Sequence, residues 1–314
     1  MRQFNFLSNE LSKRHKVSVG NWKAEHKQPP DTLYHYTNAP GLIGIISSKS
    51  IWASNVCFLN DSRELIHGRS EIEDVLKGTS KDNYSEPVRK FLDDCLNRVT
   101  KGNLEMDVYA ACFCSGGDVL SQWRAYGAMG DGYSIGLRAS ELEKLGKSTD
   151  FNYKLRKVIY EPHKQRELIS SIVCDVCNLL EQATVAKTDE EISLPELNDL
   201  FEDAGKKLDD HLKEYIYCFK HPAFSEEMEW RLVHICPAAV YNKTLQFRSS
   251  GGKVVPYLSL QLVDSINEAL LPLARLRYGA VRAPETTEKA LKHLLNFYNY
   301  AEIVPEHSDV PLVT

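Results

Sequence analysis

The sequence has no long apolar run, no excess of positive charge and no glycine-rich phosphate-binding motif. No apolar run approaches the ~20 residues of a membrane helix, and the first 17 residues are too polar for an export signal. The net charge of −5 offers no broad attraction for phosphates. Neither GxGxxG nor GxxxxGK[ST] occurs, which argues against a doubly wound nucleotide-binding fold. We therefore expect a cytoplasmic protein that binds no membrane and shows no strong preference for nucleic acid.

The composition is that of a globular protein, with 43% hydrophobic and 26% charged residues among 314. Eight cysteines are present, and Cys174 and Cys177 form a CxxC pair. This pair falls on the apolar stripe of a predicted helix, whereas a structural zinc site places its CxxC in a turn. The pattern favours reduced, buried cysteines, and we expect no metal.

The order of the predicted elements indicates an α+β fold with a mixed, mainly antiparallel sheet. Residues 1–30 are interpreted as an N-terminal arm that ends at Pro29-Pro30. Residues 31–314 are predicted to form a single α+β domain with a helical insertion at about 163–220. Strands and helices neither alternate regularly nor segregate, which is typical of this class.

Residues 33–37 (LYHYT) are the first of four patches that combine reactive and aromatic side chains. On a strand His35 shares a face with Leu33 and Thr37, while Tyr34 and Tyr36 point the other way. Taken alone, His35 is better explained as a core histidine that a backbone carbonyl satisfies.

Residues 58–64 (FLNDSRE) form the second patch. Asn60 or Asp61 capping the next helix explains most of this pattern. Asp61 and Glu64 are also candidate oxygen ligands for a divalent cation.

Residues 112–118 (CFCSGGD) form the third patch and lead to Trp123 and Tyr126. The two glycines permit a turn that exposes backbone N–H groups, on which an anion or a carbonyl can dock. Trp123 and Tyr126 lie three residues apart on one predicted helix face. That spacing suits stacking on a planar ring, although core packing is the commoner use.

Residues 224–231 (FSEEMEWR) form the fourth patch, at the start of a predicted strand. A period of two places Glu227, Glu229 and Arg231 on one side. Two carboxylates so close would raise the pKa of one of them towards that of a general base. The alternative is a solvated sheet face on which Arg231 pairs with Glu229.

The motifs LYHYT, IWAS…LND..E, ACFCS…L..W..YG, F.H..F.EE.EWR and HSDVP occur in this order from about residue 31 to the end. This set resembles an uncharacterised bacterial family that is known as a domain of unknown function. The resemblance implies no activity.

The segment LYHYT…GLIGIISSKSIWAS is also similar to the opening of ADP-ribosyltransferases, in which a histidine strand precedes a short helix and a second strand. This resemblance implies a split ADP-ribosyltransferase-like sheet and NAD as a substrate. It makes His35 the NAD-binding histidine, Glu229 the catalytic glutamate and Glu227 the residue that activates the acceptor. The middle motif of that superfamily has no clear match beyond Cys114-Ser115, with Tyr126 as an aromatic candidate. The implied NAD contacts are His35, Tyr36, Thr37, Ser115, Trp123, Tyr126 and Arg231.

The leading hypothesis is an NAD-consuming transferase or glycohydrolase, with a role as a bacterial toxin or defence effector and a small-molecule nucleotide as its partner. Cleavage of the nicotinamide–ribose bond passes through an oxocarbenium-like state that a nearby carboxylate stabilises. One alternative is a metal-dependent hydrolase or nuclease that uses Asp61, Glu64, Glu227 and Glu229. The other is a non-enzymatic interaction or sensor module, in which the 163–220 insertion presents an amphipathic surface.

Overall fold

The computed structural model describes most of the chain outside the predicted arm. The described residues are 28–59, 63–101, 107–127, 131–148, 153–188, 193–236, 244–263, 269–281 and 283–311. Most of the arm predicted at 1–30 therefore lies outside the described residues.

The helices and strands follow the predicted order. They are β1 (Thr32–Thr37), α1 (Ala39–Ser48), β2 (Ser50–Asn55), α2 (Arg63–Gly78), α3 (Glu86–Thr100), β3 (Asp107–Cys114), α4 (Leu120–Ala125), β4 (Tyr133–Arg138), α5 (Ala139–Ser148), β5 (Lys154–Lys157), α6 (Pro162–Thr188), α7 (Leu194–Ile216), β6 (Glu229–Cys236), β7 (Gln246–Ser250), β8 (Lys253–Gln261), β9 (Leu273–Tyr278), α8 (Pro284–Phe297) and β10 (Pro305–His307).

The chain divides into two compact units. The helical unit comprises Met1–Gln28, Asp61–Met106 and Ile159–Pro222, and the sheet unit comprises Pro29–Asn60, Asp107–Val158 and Ala223–Thr314. The helices of the 163–220 segment thus belong to the same unit as α2 and α3. The interpretation as one domain with an insertion stays a prediction.

The helical unit is built from long amphipathic helices. Ser193 and Glu196 form the predicted capping box at α7, in which the Glu196 N–H donates to Ser193 Oγ over 3.4 Å and the Ser193 N–H donates to Glu196 Oε2 over 3.0 Å. Cys95 and Cys177 are buried in this unit, and burial raises the pKa of each thiol to about 12. Among the described helices, Pro162–Lys187 is long and apolar enough to cross a membrane, but half of its apolar window is buried inside the protein. A core helix has the same properties.

The sheet unit contains a mainly antiparallel sheet, as the sequence predicts. The strand order is β10-β9-β4-β1-β3-β2-β8-β7, while β6 pairs with β3 and β5 pairs with β6. Strands β9 and β10 pair in parallel.

The sheet forks at β3. Strand β6 lies along one edge of β3 for its whole length, from Asp107 to Cys114. On the other edge, β1 pairs at Cys114 and β2 pairs at Ala110 and Tyr109. Strands β1 and β2 therefore share one edge of β3 and diverge from it.

The two faces of this sheet differ in chemistry. We call the face that carries Leu33, Phe113 and Ile135 the core face, because apolar side chains of α1, α5 and α8 pack on it. We call the opposite face, which carries Tyr34, Tyr36, Cys112, Cys114, Glu229 and Arg231, the polar face. The pairing registers assign each residue to its face, since side chains of directly paired residues lie on the same side.

The unit β1–α1–β2 is the predicted strand–helix–strand segment. The Gly41 N–H donates to Asn38 Oδ1 over 2.9 Å and so caps α1, and Leu42, Ile45 and Ile46 form its buried side. Lys49 adopts a left-handed backbone (φ 52°) that ends the helix and turns the chain into β2.

None of the seven cysteines whose side chains are described forms a disulfide. Cys95, Cys114, Cys177 and Cys218 are buried, as predicted. The prediction is wrong for Cys57, which is exposed because it lies in the 3-10 turn Val56–Phe58. Cys112 and Cys114 both face the polar side, as their spacing of two on a strand predicts.

Candidate functional site

His35 lies on the core face, at the fork of the sheet. Its ring is 5.8 Å from that of Phe113. Its Nδ1 donates to the Cys112 carbonyl oxygen over 2.9 Å, since a carbonyl can only accept. That carbonyl lies on the β3 edge between the pairings with β1 and β2. Burial lowers the pKa of His35, and the hydrogen bond to Cys112 only partly opposes it. The imidazole therefore supplies a hydrogen bond to this carbonyl, at a point between the two strand pairings. This is the role that the interpretation of His35 as a core histidine predicts.

Glu229 lies on the other face of the sheet. It begins β6 directly opposite Cys114, which also pairs with Tyr34 of β1. The resemblance to ADP-ribosyltransferases implies that His35 and Glu229 serve one NAD site, but the pairing registers place them on opposite faces of the sheet. Alternation along β1 separates His35 from Tyr34, but only the long-range register shows that Glu229 shares the face of Tyr34.

Glu229 and Arg231 form a buried bidentate ion pair. Arg231 Nε donates to Glu229 Oε1 over 2.7 Å, and Nη2 donates to Oε2 over 2.9 Å. Glu229 is 5% exposed and Arg231 is 1% exposed. The two residues share a face, as predicted, but the pair is not solvated as the alternative interpretation requires. Both Glu229 oxygens accept from one guanidinium, so this carboxylate is held as a charged, oriented group.

Glu227 does not belong to the strand. It ends the 3-10 helix Pro222–Glu227, so the period of two that grouped it with Glu229 and Arg231 begins only at Glu229. The residue between the carboxylates, Met228, has φ 44°, which is unfavourable for a side chain other than glycine. The Ser115 N–H donates to the Met228 carbonyl over 3.1 Å. This bond connects the turn to residues 115–118 after β3, which we call the glycine loop. Glu227 is partly exposed.

Cys114 lies close to both carboxylates. Burial, together with the negative charges of Glu227 and Glu229, raises the pKa of its thiol to about 11, although the hydrogen bond from the Gly116 N–H opposes the shift. A thiol with such a pKa stays protonated at neutral pH. Cys114 is therefore a packing residue of the polar face and not a nucleophile.

Tyr36 holds the glycine loop through two hydrogen bonds of its hydroxyl. Its hydroxyl donates to the Gly116 carbonyl over 2.9 Å and accepts from the Val119 N–H over 3.0 Å. Burial raises the pKa of this hydroxyl. Its ring contacts Trp123 edge-on at 4.9 Å. These contacts make Tyr36 a structural residue.

Tyr34 is partly exposed on the same face, beside Gly117. A Cβ at Gly117 would lie 2.4 Å from the Tyr34 ring, so this approach requires glycine. Tyr34 is thus an aromatic surface on the polar face that the predicted contact set omitted.

Asp118 anchors the loop. It accepts from Trp123 Nε1 over 2.7 Å and from the Asp309 N–H over 2.9 Å, and it also accepts from Ser308 Oγ. Burial opposes ionisation of Asp118, but these bonds together with Arg277 lower its pKa. Asp118 therefore stays charged and fixes the turn.

Two further predicted contacts differ in exposure. Trp123 is fully buried, so core packing is its role and stacking on a ligand is wrong for it. Tyr126, in contrast, is 37% exposed at the end of α4. The pair is therefore split between core and surface.

Ser115 and Thr37 occupy different faces. Ser115 is partly exposed in the glycine loop, next to Gly116. Thr37 lies on the core side of β1, where a Cβ at Gly41 would lie 2.0 Å from its Oγ1. The polar face therefore collects Glu227, Tyr34 and Ser115, while His35 and Thr37 lie on the core side.

The alternative of a metal centre involves residues that are only partly described. Asp61 and the side chain of Glu64 lie outside the described residues. Within the described stretches no three His, Cys, Asp or Glu side chains are placed to hold a metal ion.

A cavity of about 510 Å³ lies within the helical unit. Its lining includes Asp74, Tyr84, Arg166 and Cys174. Burial raises the pKa of Tyr84 to about 12. Arg166 is engaged by Glu71 over 2.7 Å. Sequence patterns gave no sign of this cavity, because its residues come from separate amphipathic helices with no motif of their own.

Residues 122–232 match a protein family described as "Protein of unknown function (DUF2971)". This match begins at Gln122 in α4 and ends at Leu232, so it includes the Glu227–Arg231 turn. The resemblance to an uncharacterised family is confirmed for this part of the chain. Searches of curated proteins and of solved structures gave no match.

Proposed function

We propose that this protein consumes NAD, transferring or hydrolysing its ADP-ribose group, and that the reaction takes place on the polar face beside Glu227. The observation that carries the proposal is the strained Met228 turn, which sets a partly exposed carboxylate next to the buried Glu229–Arg231 pair. Strain of this kind persists where the surrounding structure over-determines the backbone, and it concentrates at functional sites.

The surroundings of Glu227 suit a nucleotide. The partly exposed ring of Tyr34 lies beside Gly117, and the charge of Glu227 acts on Cys114 of the same segment. An aromatic ring can stack on nicotinamide, while loop N–H groups can bind a ribose or an amide. The fork at β3 is in keeping with the split sheet that an ADP-ribosyltransferase-like fold implies.

The chemistry requires a carboxylate near the ribose. Loss of nicotinamide leaves positive charge on the ribose, and Glu227 would stabilise it while water or an acceptor hydroxyl or amine attacks. Glu229 would act indirectly, since Arg231 holds both of its oxygens and together they fix the start of β6. His35 is given no catalytic part, because its imidazole serves the Cys112 carbonyl on the other face.

Release of nicotinamide from NAD by the purified full-length chain tests the proposal. We expect steady release by the wild type and a loss of about 10²–10³-fold in Glu227→Gln, which removes the charge and keeps the shape. Glu226→Gln is the matched control, since Glu226 is the exposed preceding residue. Absence of release by the wild type would refute the proposal, as would equal rates in the two variants.

A further inference from the structure

The wing of the sheet formed by β2, β8 and β7 carries an aromatic pair on the polar face, and one of its two rings is exposed. Trp52 and Tyr257 have ring centroids 4.5 Å apart and planes inclined by 33°. Tyr257 is 6% exposed, but Trp52 is 52% exposed. Trp52 therefore rests on Tyr257 with one side and presents much of its remaining surface to solvent.

A cation lies beside this pair. Arg248 of β7 reaches across β8, and its Nη2 donates to Ser54 Oγ over 3.0 Å. Ser54 pairs with Tyr257 in the register and lies two residues from Trp52 on the same face. Arg248 is partly buried, and in the described part of the chain no carboxylate forms an ion pair with it. A partly desolvated guanidinium without a counter-charge favours an anion.

Neutral hydrogen-bonding groups complete the surface. Ser259, which pairs with Trp52, donates to Ser50 Oγ over 2.8 Å, and the Tyr257 hydroxyl donates to Gln246 Oε1 over 2.7 Å. These bonds fix the aromatic pair without adding negative charge. The surface therefore combines the ring of Trp52, neutral hydrogen-bonding groups and the guanidinium of Arg248. Ser54, which Arg248 contacts, lies two residues along β2 from Trp52, a distance of about 7 Å.

We propose that Trp52, Tyr257 and Arg248 form a binding site for a mononucleotide, whose base stacks on Trp52 and whose phosphate pairs with Arg248. Stacking on an exposed aromatic ring is tolerant of the base, because every base has a π-face. Arg248 contacts Ser54, which lies two residues along β2 from Trp52, and a span of about 7 Å is within the reach of a nucleotide from its base to its 5′-phosphate. A long polyanion fits less well, because the protein carries a net charge of −5. This inference goes beyond the proposed NAD chemistry and does not depend on it.

Calorimetric titration of the full-length chain with AMP tests the site. AMP has no nicotinamide and cannot undergo the NAD reaction, and the variants of Trp52 and Arg248 distinguish binding here from binding of its adenylate beside Glu227. We expect AMP to bind more tightly than either adenosine or inorganic phosphate. Trp52→Ala and Arg248→Gln should each weaken AMP binding roughly tenfold or more, and Trp52→Phe should keep part of it.

Two matched controls separate the site from general effects. Phe247→Ala removes another exposed aromatic of the same wing that lies on the core side, and Arg89→Gln removes an exposed cation of the helical unit. Both should bind AMP like the wild type. The proposal fails if millimolar AMP does not bind, if phosphate alone binds as tightly as AMP, or if Trp52→Ala or Arg248→Gln binds like the wild type. It also fails if a single-stranded oligonucleotide binds ten times more tightly per site than AMP.

Discussion

The two faces of one sheet show how the same alternation of residues can serve packing on one side and chemistry on the other. On the core face, Leu33, Phe113 and Ile135 are buried under apolar helices, and His35 is neutral and bonded to a backbone carbonyl. On the polar face, charged groups are held by specific partners, with Arg231 on Glu229 and several donors on Asp118. Burial of apolar side chains is the main stabilisation of the first face, whereas the second depends on the geometry of its ion pair and hydrogen bonds.

The largest expected effect follows from breaking the buried pair of the polar face. Arg231→Met removes both hydrogen bonds of the bidentate pair from the buried Glu229, which should lower the free energy of unfolding by about 3–5 kcal/mol in urea titrations. Arg275→Met provides the control, because its partner Glu306 is 3.5 Å away and the pair is exposed; we expect at most about 1 kcal/mol. Equal losses in both variants would contradict the assigned role of the buried pair.

Asp118 gives a smaller effect with a defined dependence on pH. Asp118→Asn places an NH₂ group among donors and should cost about 1–3 kcal/mol near neutral pH. Because the folded-state pKa of Asp118 is lowered, its contribution is fully present above its unfolded pKa of ~4 and is lost as the pH falls through the folded value. Urea titrations at pH 7 and pH 3 should therefore show the difference between wild type and variant shrinking in acid. A difference that persists at pH 3 would contradict the charged role.

We expect the smallest effect on the free energy of unfolding at His35. Its contribution should decrease as the pH falls, like that of Asp118, but for a different reason. His35→Gln removes the imidazole while retaining a donor, and should cost about 1 kcal/mol at pH 8. Because burial lowers the folded-state pKa of His35, its contribution is full above the unfolded pKa of ~6.5 and declines as the pH falls towards the folded value. The wild-type advantage should thus shrink between pH 8 and pH 5. An advantage that grows on acidification would indicate an imidazolium paired with a carboxylate.

Local chemistry made most of the fold predictable. The cap at Asn38, the capping box at Ser193, and the strand and helix periods all lie in short stretches of sequence, and the structure confirms them. The bidentate pair of Glu229 and Arg231 also follows from a spacing of two on a strand. These features need no knowledge of distant partners.

The candidate site depended on long-range pairing, which local patterns do not contain. The fork at β3 decides that His35 serves Cys112 and that Glu229 lies on the face of Tyr34. The left-handed backbone at Met228 places Glu227 outside the strand. The sequence does not predict this turn, because Met228 is neither glycine nor asparagine, the residues that usually adopt this conformation. The role of Asp118 required Ser308 and Arg277 from far along the chain, although HSDVP was part of the recognised pattern.

Binding of NAD to variants of two adjacent residues is the most direct test of which face is functional. Tyr34 and His35 are neighbours in β1 but point to opposite faces. In equilibrium dialysis we expect Tyr34→Ala to weaken NAD binding about tenfold, through loss of stacking, and His35→Gln to change it by no more than about twofold. Loss of NAD binding in His35→Gln with normal binding in Tyr34→Ala would contradict the assignment of the polar face.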